Sequence, residues 1–212
     1  MRAPASPPER RACAGSRATL LAALAFAFAC SAPPTALAAP GFDLAQLTAA
    51  LARVKSGEAS FSEKRRIEML DRTLESSGRL TFRAPDSFTR ETLKPRREKL
   101  EVIGNLLTMS IGERSRTVQL DSAPEAAVIV EAVRGTLTGN REALERLFVT
   151  AVSGNTERWS LELVPRDLRL RGQVASVRVT GSESAVREVQ VMLADGDRST
   201  MTIEPLSSGG TP

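Results

Sequence analysis

The sequence of 212 residues contains no histidine and no tyrosine, and it has only two cysteines and one tryptophan. Both cysteines, Cys13 and Cys30, lie within the first 30 residues. The remaining chain therefore lacks thiol nucleophiles, disulfides, histidine-based catalytic triads and the common zinc ligands. Carboxylates, lysine, serine and threonine remain, but no motif arranges them for a reaction. We expect a protein that is not an enzyme and that uses no cofactor and no metal ion.

The first 38 residues have the pattern of a secretory signal peptide. Four arginines precede the apolar run ATLLAALAFAFAC, and the small residues from Ala36 to Ala38 follow as a cleavage site. The run is too short and wrongly flanked to span a membrane. Cleavage after Ala38 would leave 174 residues, enough for one domain over residues 39–206 and a disordered tail over 207–212. We therefore expect export to the periplasm.

A second interpretation makes Cys30 the lipid-modified first residue of a lipoprotein, because it directly follows the apolar run. The bulky Phe28 fits poorly at a place where a small residue is usual. We favour cleavage at Ala38, and lipidation of Cys30 stays open as the alternative.

Removal of the signal changes the charge of the protein. The whole sequence has a formal net charge of +4, and the first 38 residues contain four Arg and one Glu. The remaining residues have 25 basic and 24 acidic side chains, a net charge of +1. Because this balance gives no strong positive field, we expect no nucleic-acid partner.

Apolar residues recur at helical spacing in three segments of the remaining chain. The first, 43–54, has Asp43 at its N-cap position, and the others, 121–139 and 140–154, form a helical insertion in mid-chain. The stretch AAVIVEAV in this insertion is unusually apolar. If the last helix is short, a strand near 147–153 follows it.

Elsewhere apolar and polar residues alternate with a period of two, which predicts strands. The connections have hairpin length, so the sheet should be antiparallel with strands paired mostly in sequence order. A sheet of this size must curl, and helices are expected to cover its concave side. Including the strand near 147–153, about eleven strands are predicted, the others near 59–68, 73–83, 87–93, 97–103, 106–111, 115–120, 158–165, 175–181, 185–196 and 198–204.

Three charged segments are candidates for binding. SEKRRIE (62–68) alternates in sign along a strand, and we interpret it as a solvated outer face. KPRREK (94–99) is a candidate contact for an anionic membrane surface or an acidic partner. LADGDRST (193–200) lacks the spaced oxygen ligands of a calcium loop, so we interpret it as a hairpin turn with Gly196 at positive φ.

The order of these elements over residues 42–204 resembles the LolA family of periplasmic carriers of outer-membrane lipoproteins. The stretch GRLTFRAPDSF (78–88) is similar to the family's Gly-x-Leu-x-x-x-x-Pro-x-x-Phe core. The other matching stretches are ASFSEKR (59–65), KPRREKLEVIGNLLTMSI (94–111), RWSLELVPRD (158–167) and VREVQVMLADGDRSTMTI (186–203).

The resemblance implies an incomplete eleven-stranded antiparallel barrel, a mainly β fold with a helical lid. Its concave, open side would be covered by the helices at 43–54 and 121–149. The cavity of this family takes up acyl chains. The resemblance therefore implies a soluble periplasmic carrier that shields the acyl chains of a lipoprotein or another lipidated molecule in transit to the outer membrane. The implied partners are an inner-membrane donor complex and an outer-membrane acceptor, with the carrier itself a monomer.

Two departures from the family pattern make this chain a divergent relative. The carriers have a basic residue immediately before the proline of the Gly-x-Leu strand, whereas this chain has Ala84 there and Arg83 one step earlier. The carriers favour aromatics in the strand after IGN, whereas this chain has Leu106, Leu107 and Met109. A different lipid cargo is therefore expected.

The candidate ligand-binding residues are the apolar side chains of the expected cavity and lid. Basic surface residues are candidates for contact with a partner. The cavity and lid candidates are Leu47, Leu51, Leu80, Phe82, Leu100, Val102, Leu107, Met109, Ile129, Val133, Trp159, Leu161 and Leu163, and the basic candidates are Arg83, Arg96 and Arg97.

Two other functions stay open for the same fold. If Cys30 is lipidated, the protein is an outer-membrane-anchored lipoprotein acceptor that resembles LolB. If the cavity reads envelope lipids while another surface binds a membrane protein, the protein is a lipid sensor or regulatory adaptor. A stoichiometric protein partner would favour the adaptor.

Overall fold

Eleven strands form most of the chain that the computed structural model describes, which is residues 42–206. The signal peptide, Cys30 and the tail 207–212 lie outside the described residues, so their assignment stays a prediction. The strands are β1 (Ser56–Ile67), β2 (Arg72–Arg83), β3 (Ser87–Lys94), β4 (Glu98–Ile103), β5 (Leu106–Ile111), β6 (Arg114–Gln119), β7 (Phe148–Asn155), β8 (Arg158–Pro165), β9 (Val174–Ser182), β10 (Ala185–Leu193) and β11 (Arg198–Pro205).

All eleven strands belong to one antiparallel sheet, which confirms the predicted fold class. Their order is β6-β5-β4-β3-β2-β1-β11-β10-β9-β8-β7. Most neighbours follow each other in sequence, but the central pair joins the first strand to the last, with Phe61 opposite Ile203. Strands β6 and β7 are the two edges and do not pair with each other. The sheet is therefore open and does not close into a barrel.

Within residues 42–206, four α-helices accompany the sheet: α1 (Leu44–Leu51), α2 (Pro124–Thr138), α3 (Arg141–Leu147) and α4 (Leu168–Arg171). Asp43 caps α1, because its carboxylate accepts a hydrogen bond of 2.9 Å from the Gln46 amide. Asn140 caps α3 in the same way, through the Ala143 amide at 3.0 Å. Helix α4 was not predicted from the sequence, since its four residues are too few to show a period.

The first predicted helix extends beyond the observed one, which ends at Leu51. The third predicted helix, 140–154, was too long: α3 ends at Leu147 and β7 begins at Phe148. The strand expected for a short third helix is therefore present. The sequence FVTAVSG contains two β-branched valines and a threonine, residues that favour a strand over a helix.

Gly139 ends α2 and allows α1 to approach it. Its φ of 63° is left-handed, and a Cβ atom at this position would lie 2.2 Å from the carbonyl oxygen of Thr48 in α1. Only glycine fits both conditions. The contact fixes the two lid helices against each other at this point.

Two apolar clusters lie on the concave side of the sheet. The larger one packs α1, α2 and α3 against strands β7 to β10 and contains Leu47, Leu51, Leu144, Phe148 and Trp159. The smaller one joins the N-terminal half of α2 to β4 and β5 around Val102, Leu107 and Leu120. Between them the helix does not reach the sheet, and a cavity remains. None of the helices in residues 42–206 has the length and apolar character needed to cross a membrane.

Candidate functional site

A cavity of about 860 Å³ lies between α2 and the concave face of the sheet. Residues from β1, β2 and β3 form one wall, among them Leu80, Phe82 and Phe88. Residues from β9, β10 and β11 form the facing wall, among them Val189 and Met201. Apolar side chains predominate in the wall from β9 to β11, as expected of a site for an apolar ligand, whereas the wall from β1 to β3 combines these three apolar residues with charged ones.

The alternation in β2 explains how the sequence builds this wall. Leu80 and Phe82 are 7% and 8% exposed and point into the cavity, whereas Arg79 between the inward positions is exposed. Phe82 pairs across the strands with Phe88 of β3, so their rings lie on the same face. The stretch from 78 to 88 therefore forms a hairpin with one apolar face turned towards the cavity.

Helix α2 has two apolar faces. One packs against the larger apolar cluster and the other borders the cavity. Val128 and Ala132 are four residues apart and are buried in the larger cluster. Ile129 and Val133 lie one step round the helix and line the cavity. This double role explains the unusually apolar stretch AAVIVEAV, which exceeds what one buried stripe requires.

An arginine of α2 connects the helix to the sheet on the other side of the cavity. The Arg134 guanidinium donates a hydrogen bond to the carbonyl oxygen of Gly104, in the turn between β4 and β5. It also pairs with Glu131 at 2.6 Å, and the Arg134 side chain is 23% exposed. A lid movement that separates α2 from this turn must break the bond to Gly104.

The predicted site residues divide between the cavity and other places. Leu47, Leu51, Trp159, Leu161 and Leu163 are at most 1% exposed and lie in the larger core cluster. The predicted residues that line the cavity are Leu80, Phe82, Arg83, Leu100, Val102, Leu107, Ile129 and Val133. For these apolar residues the strand pattern indicated the inward face, but it could not distinguish a face covered by a helix from a face that borders a cavity.

The other candidates lie towards the surface. Met109 of β5 is 40% exposed. Arg96 and Arg97 are exposed between β3 and β4, where Arg96 pairs with Glu98. Contact of any predicted residue with a ligand or partner stays a prediction.

Sequence reasoning missed a charged group inside the cavity, centred on Glu63 of β1. The Glu63 carboxylate accepts hydrogen bonds from the Arg90 guanidinium, from Ser76 at 3.0 Å and from Ser199. These four side chains come from β1, β2, β3 and β11, which are consecutive in the sheet. We refer to them as the polar band.

A second ion pair lines the cavity beside the polar band. Arg65 lies 3.4 Å from Asp197, whose other carboxylate oxygen accepts a hydrogen bond of 3.0 Å from the Glu68 amide. Gly196, the residue before Asp197, has the predicted positive φ, 95°. The turn was therefore predicted correctly, but the buried role of its aspartate was not.

The interpretation of SEKRRIE as a solvated outer face was wrong for alternate residues. Lys64 is on the outer face, with 74% of its side chain exposed. Glu63 and Arg65 lie on the inner face and line the cavity. Both faces of β1 carry charge here, so alternation could not show which charges point inwards. Within residues 42–206, the acidic side chains form no group that could hold a metal ion.

Comparison with known proteins gives one match to a family model. The model described as outer membrane lipoprotein carrier protein LolA-like matches residues 35–204. No curated protein sequence matches the chain.

Solved structures provide more distant similarities. A LolA superfamily protein from Nitrosomonas europaea is 10% identical, with a TM-score of 0.38 over 71% of this chain and 84% of that one. A domain from Vibrio parahaemolyticus, proposed to be an outer membrane lipoprotein-sorting protein, is 10% identical, with a TM-score of 0.43 over 80% and 92%. LprF from Mycobacterium bovis is 8% identical, with a TM-score of 0.36 over 80% and 93%.

Proposed function

The chain belongs to the LolA-like family of outer membrane lipoprotein carrier proteins, and we propose that it is a periplasmic carrier that shields acyl chains in transit. Its cargo is a lipoprotein or another lipidated molecule. The observation that supports this proposal most strongly is the apolar cavity of about 860 Å³ between α2 and the sheet. Its walls carry the apolar side chains of β2, β3, β10, β11 and α2, against which an acyl chain would lie.

The energetics of an acyl chain explain why such a cavity serves transport. Each CH₂ group exposed to water costs about 0.8 kcal/mol, so even a single chain needs cover while it crosses an aqueous compartment. The apolar walls replace this water. Release requires only that the next acceptor binds the chain more tightly than the carrier does.

The lid of the proposed carrier is α2 together with α1. Ile129 and Val133 of α2 would contact the acyl chain and close the cavity from the helix side. The bond from Arg134 to the carbonyl oxygen of Gly104 holds the closed position. This chain has Ala84 in place of the basic residue of the family pattern, and in the proposed carrier Arg134 of the helix supplies a basic contact to the sheet.

The proposed carrier works as a monomer and performs no chemical reaction on its cargo. It receives the cargo from an inner-membrane donor complex and passes it to an outer-membrane acceptor. The near-neutral charge after cleavage at Ala38 suits a protein that must leave both membrane surfaces again.

Native mass spectrometry of the gently purified protein tests the proposal. We expect a fraction with the added mass of a lipid or lipoprotein, and uptake of a fluorescent fatty acid by the empty fraction. A protein that is always empty and takes up no fatty acid would contradict a carrier function. A bound partner protein at equal stoichiometry, with an empty cavity, would instead favour the regulatory adaptor.

A further inference from the structure

The polar band occupies one end of a cavity that is otherwise mainly apolar. Glu63, Ser76, Arg90 and Ser199 take inward positions on four consecutive strands. Further along the same strands, the inward positions that line the cavity are apolar. On these four strands the inward polar side chains therefore lie together, and hydrogen bonds between different strands hold them in a fixed arrangement.

Burial of this group has a cost that a cavity for acyl chains alone would avoid. The side chain of Glu63 is 14% exposed and that of Arg90 is 25% exposed. Taking two charges out of water is unfavourable, and well-packed apolar residues in their place are often at least as stabilising. A purely hydrocarbon ligand would gain nothing from the pair. A polar group of the ligand would gain hydrogen bonds from it.

Arg90 keeps hydrogen-bond donors for such a group. Its hydrogen bonds within the described residues all come from Nη2, which donates to Glu63 and Ser76. Its Nε is buried without an acceptor there. The guanidinium carbon lies 4.8 Å from the centroid of the Phe61 ring, which supports the side chain from one side. An arginine has five N–H groups, so most of its donor capacity is unused.

The charges around Arg90 indicate what kind of acceptor fits. The pair of Arg65 and Asp197 lines the same end, so two guanidinium groups are balanced by two carboxylates. Arg198 also borders the cavity, but it pairs in register with Arg66, an outward position of β1. An anionic head would meet two carboxylates as well as two arginines. A neutral oxygen acceptor would gain a charge-assisted hydrogen bond without this repulsion.

We infer that the polar band is a head-group site for a neutral acyl ester or amide. The carbonyl oxygen accepts a hydrogen bond from the Arg90 guanidinium, and the acyl chain extends along the apolar walls towards α2. This inference rests on the proposed function and adds a chemical class to it. The ester of an acylglycerol and the ester-linked chain of a lipoprotein share this chemistry.

A displacement assay with matched ligands tests the site. The neutral apolar dye N-phenyl-1-naphthylamine reports cavity binding, and methyl dodecanoate and dodecanoate compete with it at pH 8. The two competitors have the same chain and differ in charge. We expect Arg90→Met to weaken methyl dodecanoate binding about tenfold or more relative to binding of the dye, whose affinity is measured separately for each variant; this is the scale of one hydrogen bond to a charged group.

Glu63→Gln provides a readout with the opposite sign. Glutamine keeps the shape and an acceptor for the serines, but the site gains a net positive charge. We expect dodecanoate to bind about tenfold more tightly and methyl dodecanoate to change little. Since this variant is nearly isosteric, it tests the site even if Arg90→Met fails to fold. Arg79→Met, on the outer face of β2, is the control and should change none of the affinities.

The outcomes separate the inference from the proposed function. If neither ligand displaces the dye and the dye itself does not bind, the carrier proposal fails. If both ligands bind but Arg90→Met and Glu63→Gln change neither affinity, the cavity binds chains without reading the head, and the head-group site is wrong. If methyl dodecanoate binding falls equally in Arg79→Met and Arg90→Met, the effect is not specific to the polar band. That result also overturns the head-group site. Distinct changes in the two cavity variants support it. A tightly retained acylglycerol or lipoprotein in the native protein would then distinguish the two natural sources.

Discussion

Gly78 of β2 lies directly opposite Phe61 of β1, and a Cβ atom at position 78 would lie 2.9 Å from Cε1 of the phenylalanine ring. The same atom would lie 1.9 Å from the backbone carbonyl oxygen of Glu91. The missing side chain therefore lets the Phe61 ring occupy this part of the inner face. Because the ring lies beside Arg90, Gly78 also helps to set the position of the polar band.

Substitution of Gly78 should therefore be destabilising. We expect Gly78→Ala to lower the free energy of unfolding by about 1–3 kcal/mol, because the backbone of β3 must move away from the added methyl group. Urea denaturation followed by the fluorescence of Trp159 measures the change. Gly57→Ala in β1 is the control, since a Cβ atom there meets nothing within 4 Å. Equal midpoints for the two variants would contradict this account of Gly78.

A charge on the face of α2 that lines the cavity should block binding. We expect Ile129→Glu to reduce fatty-acid uptake at least tenfold, because a carboxylate buried against an acyl chain loses its hydration. The matched control is Ile103→Glu, since Ile103 is 54% exposed on the sheet. Fluorescent fatty-acid titration measures uptake, and circular dichroism checks that both variants are folded. Similar uptake by both variants would argue against binding beneath α2.

Loss of the arginine contact between lid and sheet should accelerate ligand exchange. Arg134→Met removes the hydrogen bond to Gly104 and the ion pair with Glu131. We expect the dissociation rate of a bound fluorescent fatty acid to rise several-fold, because opening no longer breaks a charge-assisted bond. Stopped-flow fluorescence measures the rate. Arg141→Met, which removes the exposed pair with Glu145, should leave it unchanged, and an equal rise in that control would contradict a specific role for Arg134.

The N-terminus of the mature protein separates the soluble carrier from the anchored acceptor. We expect intact mass and N-terminal sequencing to show cleavage after Ala38, with Ala39 as the first residue and no added lipid. Growth with labelled palmitate provides the independent measurement. Label that disappears in Cys30→Ser would show instead that Cys30 is lipidated, and the anchored acceptor would replace the soluble carrier.

The strands could be predicted from the sequence because two local signals agree along most of the chain. Residues alternate with a period of two, and turn residues such as Gly104 and Gly196 separate the runs. Both signals depend only on near neighbours. The start of β7 could not be placed from the sequence, because α3 and the strand follow each other without a proline or a glycine at the junction.

The cavity itself could not be predicted from the same signals. Leu161 and Leu80 both occupy inward positions of alternating strands, but Leu161 packs beneath the helices whereas Leu80 borders the cavity. The difference lies in where α1 and α2 cross the sheet. Only the tertiary arrangement determines this, and no local pattern in β2 or β8 encodes it.

The polar band is a similar case. Glu63 meets Ser76 and Arg90 through strand pairing between separate segments of the chain. In the sequence, Lys64, Arg65 and Arg66 follow Glu63 with charges on both faces of the strand and conceal its inward direction. The inward direction of Glu63 follows from the pairing register of β1, which alternation along a single strand does not specify.

The pairing of β1 with β11 has a consequence for how the protein is made. Ala59 near the start of the described residues lies opposite Pro205 near their end, so the centre of the sheet cannot form until β11 has been synthesised. In a chain exported as proposed above, this central pair would form only after β11 has followed β1 across the membrane.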